Sequence, residues 1–364
     1  MSETERLDAL FGMYSEAVIA IDSNEIIYYN CAAQKLLPEI SKMKPGSIIP
    51  QAILDTEPDS FIGEVNIAGK RSTYSVARLD KLKILSVLST VSADEGINPA
   101  VLDAISGEMK NYLAVLRMAA TAVLPYVENS GDEKLSQYAA MINQSYYHIL
   151  RLTKNAEILG DDTTSNAGLK KSVFDFAEMC GELVDACAYL VEERAVKLSF
   201  TAETENMLIL ADRDKIELML LNMISNSISN TPAGGSVVIS VAVKGETALI
   251  KVTDTGSGLS DEIKTSVWSR YTEPKTLSDT KSGAGFGMAV VSQIARIHDG
   301  SVFIESRKGE GTTVAVSIPN ARKVGEMNLN DGGVSKYHSK GASSYLVGLA
   351  TILGHDKFTQ KFMD

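Results

Sequence analysis

Leu220–Pro232 reads LLNMISNSISNTP, Val252–Gly258 reads VTDTGSG and Gly283–Met288 reads GAGFGM. These three stretches, in that order, decide how the chain is read. Asn222 and Asn226 lie four apart in a helical pattern over 213–230, so their amides share one face, one turn apart. Their carbonyl oxygens suit Mg²⁺, a hard cation that takes oxygen ligands. Asp254 closes a strand-like run, where a carboxylate can accept a hydrogen bond from an exocyclic amine. Gly256 and Gly258 let backbone approach a ligand closely. Gly283, Gly285 and Gly287 run into a helix start, a natural cradle for an anion. Singly, each motif is common on surface helices and in loops. Their order and their strand–helix context carry the weight.

The 364 residues point to two or three domains. Hydrophobic residues at 45% and charged residues at 22% give an ordinary globular mix. Lys and Arg number 35 against 46 Asp and Glu, a net charge of −11. That balance argues against nucleic-acid binding by bulk charge and against adhesion to an anionic membrane. No apolar run approaches the ~20 residues of a membrane span. Met1–Leu10 lacks a basic start followed by an apolar run, so a cytoplasmic protein is expected. The three cysteines, Cys31, Cys180 and Cys187, fit a reducing compartment, with all three as packed core thiols.

Residues 1–95 read as a small α/β unit, with strands at 18–21, 26–29, 61–67, 73–78 and 83–88. Over 97–160 apolar residues recur at three- and four-residue steps. Ile105, Tyr112, Leu116 and Val123 lead into a polar turn at 128–132. Leu135, Tyr138, Ile142, Ile149 and Leu152 follow it. Two amphipathic helices result, and a hairpin this small needs a second copy, as a four-helix bundle, to cover both stripes. Residues 161–173 form a polar linker. Residues 174–320 alternate helix and strand as an α/β sandwich. The tail, 321–364, starts loose and ends in an amphipathic helix near 345–353.

Residues 174–319 resemble the ATP-binding domain of the gyrase/histidine-kinase superfamily. Asn222/Asn226 match its N box, Asp254-x-Gly256-x-Gly258 its G1 box and Gly283-x-Gly285-x-Gly287 its G2 box. Residues 259–282 correspond to its ATP lid. The resemblance implies that Asp254 holds the adenine amine, Asn226 holds Mg²⁺ and 283–288, Phe286 included, hold the phosphates, with Asn222, Gly256, Gly258 and the lid's Lys275 completing the ATP site. Residues 97–160 are similar to a histidine-kinase dimerisation hairpin and residues 5–90 to a PAS sensor domain. The expected fold class is thus multidomain α+β: a PAS-like domain over 1–95, a dimerisation hairpin over 96–160, a linker, an ATP-binding sandwich over 174–320 and a tail.

The match breaks where such kinases carry the phosphoacceptor histidine, followed by an acid, then by a basic residue and Asn or Thr. Ser106-Gly107-Glu108-Met109-Lys110-Asn111 keeps Glu108, Lys110 and Asn111 but has Gly107 at the acceptor position. Glycine has no nucleophile. His148 is the one histidine of the hairpin and so the candidate substitute. Folding the hairpin about Gly131 sets it opposite residue 114, ~10 Å along the axis from Gly107. Ser229-Asn230 stand where relatives carry a basic and then an aromatic residue, leaving Lys275 and Lys281 of the lid to compensate. Asn222 stands where gyrase-type ATPases and serine kinases place a glutamate base. An amide cannot deprotonate water or a hydroxyl, which disfavours a stand-alone ATPase. The resemblance implies a Mg-ATP-binding protein of two-component signalling, by family a histidine kinase, homodimeric through its hairpin and partnered by a response regulator or a histidine-containing protein. The alternative is a non-catalytic pseudokinase or scaffold that works by switching the dimer's conformation.

Overall fold

The computed structural model describes residues 2–49, 60–67, 70–79, 81–91, 99–160, 169–204, 206–259, 287–320 and 344–359. The chain opens with α1 (Glu3–Phe11), started by a capping box in which Ser2 and Glu5 bond each other's backbone N–H. A tight turn joins β1 (Ala17–Asp22) to β2 (Glu25–Tyr29), and α2 (Cys31–Leu36) follows. Asn30 is the hub of this corner. Its Oδ1 accepts from Val18 N at 3.1 Å and Ala33 N at 2.9 Å. Its Nδ2 donates to the carbonyls of Phe11, Tyr14 and Glu16. One buried amide thus satisfies two backbone donors and three acceptors that the turn leaves open. Cys31 was expected in the core but is exposed, because the first helical residue after this cap faces outward. Cys180 and Cys187 are buried, and burial pushes both thiols above their ordinary range.

Three long strands follow: β3 (Ser60–Ile67), β4 (Lys70–Leu79) and β5 (Leu82–Val91). The N-terminal order is β2-β1-β5-β4-β3, all antiparallel.

Two helices come next, α3 (Pro99–Ser130) and α4 (Glu133–Gly160). Gly131 turns between them at φ +67°, and Asp132 Oδ1 accepts from Lys134 N and Leu135 N to start α4. An ion pair between Lys110 and Glu157 ties the two helices. Thirteen of the seventeen exposed large hydrophobic side chains among the described residues lie on this pair, including Ile105, Tyr112, Leu116, Val123, Tyr138, Ile142 and Leu152. The apolar stripe therefore points outward and is left uncovered by the described residues.

The C-terminal unit holds β6 (Ser172–Asp175), α5 (Phe176–Leu190), β7 (Lys197–Ala202), β8 (Leu208–Ala211), α6 (Arg213–Asn230), β9 (Ser236–Lys244), β10 (Thr247–Asp254), α7 (Gly287–Ile297), β11 (Ser301–Arg307) and β12 (Gly311–Pro319). β6 begins inside the stretch read as linker, because four residues suffice to pair with β8. Asp175 and Asp212 cap α5 and α6 through their carboxylates. The helices pack on one face of β11-β12-β10-β9-β7, filled by Leu183, Ile216, Leu220, Ile224, Ile239, Ile250 and Val316.

The sheet does not stop at the unit's edge. β11 pairs antiparallel with β3 at Val302↔Glu64, Phe303↔Gly63 and Ile304↔Ile62, giving one ten-stranded sheet. Two edges that would otherwise expose open backbone groups cover each other. Gly63 permits it, since a Cβ there would lie 2.8 Å from Val302 O.

Behind α6 sits His298, 3% exposed. Its Nδ1 donates to Ile294 O at 2.8 Å and its Nε2 accepts from Asp212 N at 3.1 Å. Only neutral imidazole can do both. Burial lowers its pKa below the usual 6.5, outweighing the nearby Asp212. Below pH ~6.5 the unfolded chain takes up a proton that the native state refuses, so stability is complete above that pH and falls beneath it. Urea midpoints should drop between pH 7.5 and 5.5, and drop less in His298→Gln. An equal drop in both would clear His298 of that role.

The last described segment carries α8 (Ser344–Leu349) and a 3₁₀ turn at His355–Phe358. Leu346, Val347, Leu349, Ala350, Ile352, Leu353 and Phe358 are all buried. They lie against α4, α5 and α6, so hairpin, C-terminal unit and tail share one core.

Candidate functional site

Asp254 ends β10 and is 4% exposed. Its Oδ1 accepts from Gly256 N at 2.9 Å and from Thr312 N at 3.1 Å, and the Ser227 hydroxyl bonds the same carboxyl group. Burial raises its pKa; the two backbone N–H groups and Ser227 pull it back. The carboxylate is thereby held in one orientation, with Oδ1 fully used.

The G1 glycines are demanded by packing. A Cβ on Gly256 would lie 2.5 Å from Asn230 O, and one on Gly258, at φ +63°, would lie 1.9 Å from Arg307 O. Gly311 was not singled out from the sequence, yet it is equally constrained: at φ +102° its Cβ would lie 1.9 Å from Asp254 O. Gly311 and Thr312 bring β12 onto the carboxylate. The signal was present in Gly311-Thr312-Thr313, which reads only as the end of a hairpin until β12 is seen beside β10.

α6 presents the two N-box amides toward the start of α7. A Cβ on Gly287 would lie 3.2 Å from Asn222 Oδ1 and 3.2 Å from both amide atoms of Asn226. The structure thus brings Asn222, Asn226 and Gly287 together at a helix N-terminus, where the backbone favours an anion. The two amides differ in freedom. Asn222, 1% exposed, donates to Leu218 O at 2.9 Å and accepts from Arg151 Nη2 at 3.1 Å. Asn226 is half-buried, and its amide makes no hydrogen bond among the described residues. Ser229 and Asn230 bond back to the helix carbonyls of Ser225 and Asn226. Lys275, Lys281, Gly283, Gly285 and Phe286 lie outside the described residues, as does the lid from 260 onward.

On the hairpin, Gly107 and Glu108 are exposed. A Cβ on Gly107 would meet nothing within 4 Å, so no packing demand explains the glycine. His148 is half-buried, and its Nε2 bonds the carbonyl of Ala350 in the tail. The Lys110–Glu157 pair joins the two helices on the same part of the hairpin. Arg151 drew no attention in the sequence, where one basic residue on a polar helix face is ordinary. It is 5% exposed and reaches Asn222.

No described helix is long and apolar enough to cross a membrane.

Residues 211–322 match the family described as histidine kinase-, DNA gyrase B-, and HSP90-like ATPase. The chain is 25% identical over 251 residues to Histidine kinase P4 of Formosa agariphila, covering 66% of this chain and 18% of that protein. It is 28% identical over 188 residues to the histidine protein kinase DivJ of Caulobacter vibrioides, covering 52% of this chain and 32% of that protein. Full-length ShkA in complex with AMPPNP aligns at 21% identity with a TM-score of 0.48, over 61% of this chain and 46% of that one. The chain thus spans less than a third of either curated relative. The ATPase match, which spans the strand-end Asp254, the glycine-walled turn after it and the paired amides of α6, together with the two kinase relatives, makes the chain similar to sensor histidine kinases and assigns residues 211–322 to the histidine kinase-, DNA gyrase B-, and HSP90-like ATPase family.

Proposed function

We propose that the chain is a Mg-ATP-binding signalling protein of the two-component type that does not phosphorylate itself at the usual hairpin position. The observation that carries this reading is a pairing of opposites: the cage around Asp254 is intact, while the acceptor position is an exposed glycine in open space. The residues present fit the nucleotide. Asp254 offers a carboxylate acceptor to an exocyclic amine, Asn226 offers an uncommitted amide oxygen to a hard cation, and Gly287 opens α7 beside both amides. Bound Mg²⁺ would neutralise charge on the phosphates. Asn226 would orient it, and Gly258 and Gly311 keep the wall behind Asp254 closed.

The N-terminal strand order and the Asn30 corner support a PAS-like sensor unit, whose ligand the chemistry on display does not name. The outward apolar stripe of α3 and α4 supports a homodimer through a four-helix bundle. A response regulator or a histidine-containing protein is the partner that fits a phosphoryl donor lacking its own acceptor. Transfer in trans asks only for positioning and charge neutralisation. A second reading, a non-catalytic scaffold that switches by dimer rearrangement, is favoured by Gly107 alone.

Asp254→Asn tests the site. The amide oxygen can keep both backbone bonds, so the fold should hold, while its NH₂ now faces the adenine amine donor. Losing a hydrogen bond to a charged group costs ~1.5–3 kcal/mol, or roughly 10- to 150-fold in affinity. Calorimetry should therefore show much weaker Mg-ATP binding at an unchanged melting temperature. Equal affinity in the variant would remove Asp254 from the adenine site.

A further inference from the structure

We infer that Arg151 is a positioning residue of the nucleotide site: from the hairpin, its guanidinium holds the Asn222 amide and sets a positive charge behind the face that Asn222, Asn226 and Gly287 form. This rests on the reading of that face as the Mg-ATP site. The geometry is specific. Arg151 Nη2 donates to Asn222 Oδ1 at 3.1 Å, while Nη1 donates to Ser225 Oγ at 3.0 Å and to Thr351 Oγ1 at 2.5 Å. All three partners are neutral, and no carboxylate pairs with Arg151 among the described residues. Burial lowers its pKa to about 10, which leaves it charged at neutral pH.

A buried cation without an anion is costly, and such groups are ordinarily paired. Here the anion is supplied from outside the chain. The N-box amide that Arg151 holds lies beside the α7 N-terminus, where phosphates would sit. Ser229 and Asn230 bring no positive charge to α6 next to Asn226, so Arg151 brings one from the other side of Asn222. The residue belongs to α4, and Thr351 belongs to the tail. A triphosphate would therefore strengthen the contact of the ATPase unit with the hairpin and the tail at once. Its γ-phosphate charge should be felt more than that of a diphosphate.

Full-length protein, Arg151→Gln, Arg151→Lys and Asp254→Asn should be compared for binding of Mg-ATP and Mg-ADP by calorimetry, with ligand-free melting as the folding control. Arg151→Gln is expected to weaken ATP about tenfold and ADP about twofold, narrowing the preference between them. Arg151→Lys, which keeps the charge and loses the fork, is expected to restore that preference. Equal weakening of both nucleotides would mean a merely structural role and overturn the inference. If Arg151→Gln fails to fold, Arg151→Lys decides: preference kept supports the inference, and preference lost overturns it. Binding by the native chain, lost in Asp254→Asn but with an unchanged ATP-to-ADP preference in Arg151→Gln, would overturn the Arg151 role alone. No binding by the native chain would overturn the site reading, and this inference with it.

Discussion

Gly107→His should take up acid-labile, base-stable phosphate from γ-labelled Mg-ATP, whereas the native chain should take up none. Three features of the hairpin support a gain of function. The position is exposed, and an added Cβ meets nothing within 4 Å, so a side chain can start there without displacing its neighbours. Glu108, Lys110 and Asn111 already follow it, and Glu108 is exposed beside it. Exchanging a mid-helix glycine for histidine also relieves backbone entropy, stabilising α3 by about 0.3–0.5 kcal/mol. Neutral imidazole presents a lone pair at neutral pH and needs no base. Label in the native chain that His148→Ala abolishes would show instead that the hairpin's own histidine accepts phosphate. The bond from His148 Nε2 to the Ala350 carbonyl argues against that outcome. Failure of Gly107→His to label, with nucleotide still bound, would place the defect in the ATPase unit's approach to the hairpin and favour the scaffold reading.

Gly348→Leu should release the tail from the body of the protein. Gly348 lies in α8 against α6, and a Cβ there would sit 2.7 Å from Leu221 Cβ, with Leu221 Cδ1 at 2.8 Å. Leu221 is itself 1% exposed and has nowhere to turn. Overpacking of this kind costs ~1–3 kcal/mol where the site can adjust. The tail is held by burial of seven apolar side chains and by a row of polar anchors. Asn143 donates to Phe358 O, Gln144 to Leu353 O, Arg194 to Ile352 O, and Ser344 to Glu217. Ordering the segment opposes that gain with a term of similar size, so a clash of a few kcal/mol is enough to undock it. Hydrogen exchange should then accelerate at 344–359 and along α4 at Asn143–Arg151, while β9, β10 and β12 stay protected. Unchanged protection at 344–359 would show that α6 yields around the new side chain. The tail contacts Arg151 through Thr351, so Gly348→Leu should also weaken nucleotide binding, in the same direction as Arg151→Gln.

The motifs of the proposed site were legible because they are local. An aspartate ending a strand run, glycines at fixed steps after it and two asparagines four apart on a helix each declare themselves within a few residues, since backbone conformation and helical period act at that range. Strand alternation and the polar turn at Gly131 announced most elements for the same reason, and the outward stripe of α3 and α4 was visible as periodicity before any contact was known. What could not be read are the meetings of surfaces far apart in the chain. No period in residues 344–359 says that they dock on α4 and α6. Nothing near residue 63 says that β3 continues a sheet ending at β11. The bond of His148 to Ala350 joins residues some two hundred positions apart. Arg151 looks like any helix-surface cation until Asn222, Ser225 and Thr351 close around it. Local propensity writes elements and motifs into short stretches; which faces bury one another depends on shape and polar complementarity summed over the whole molecule, and only the folded chain evaluates that sum.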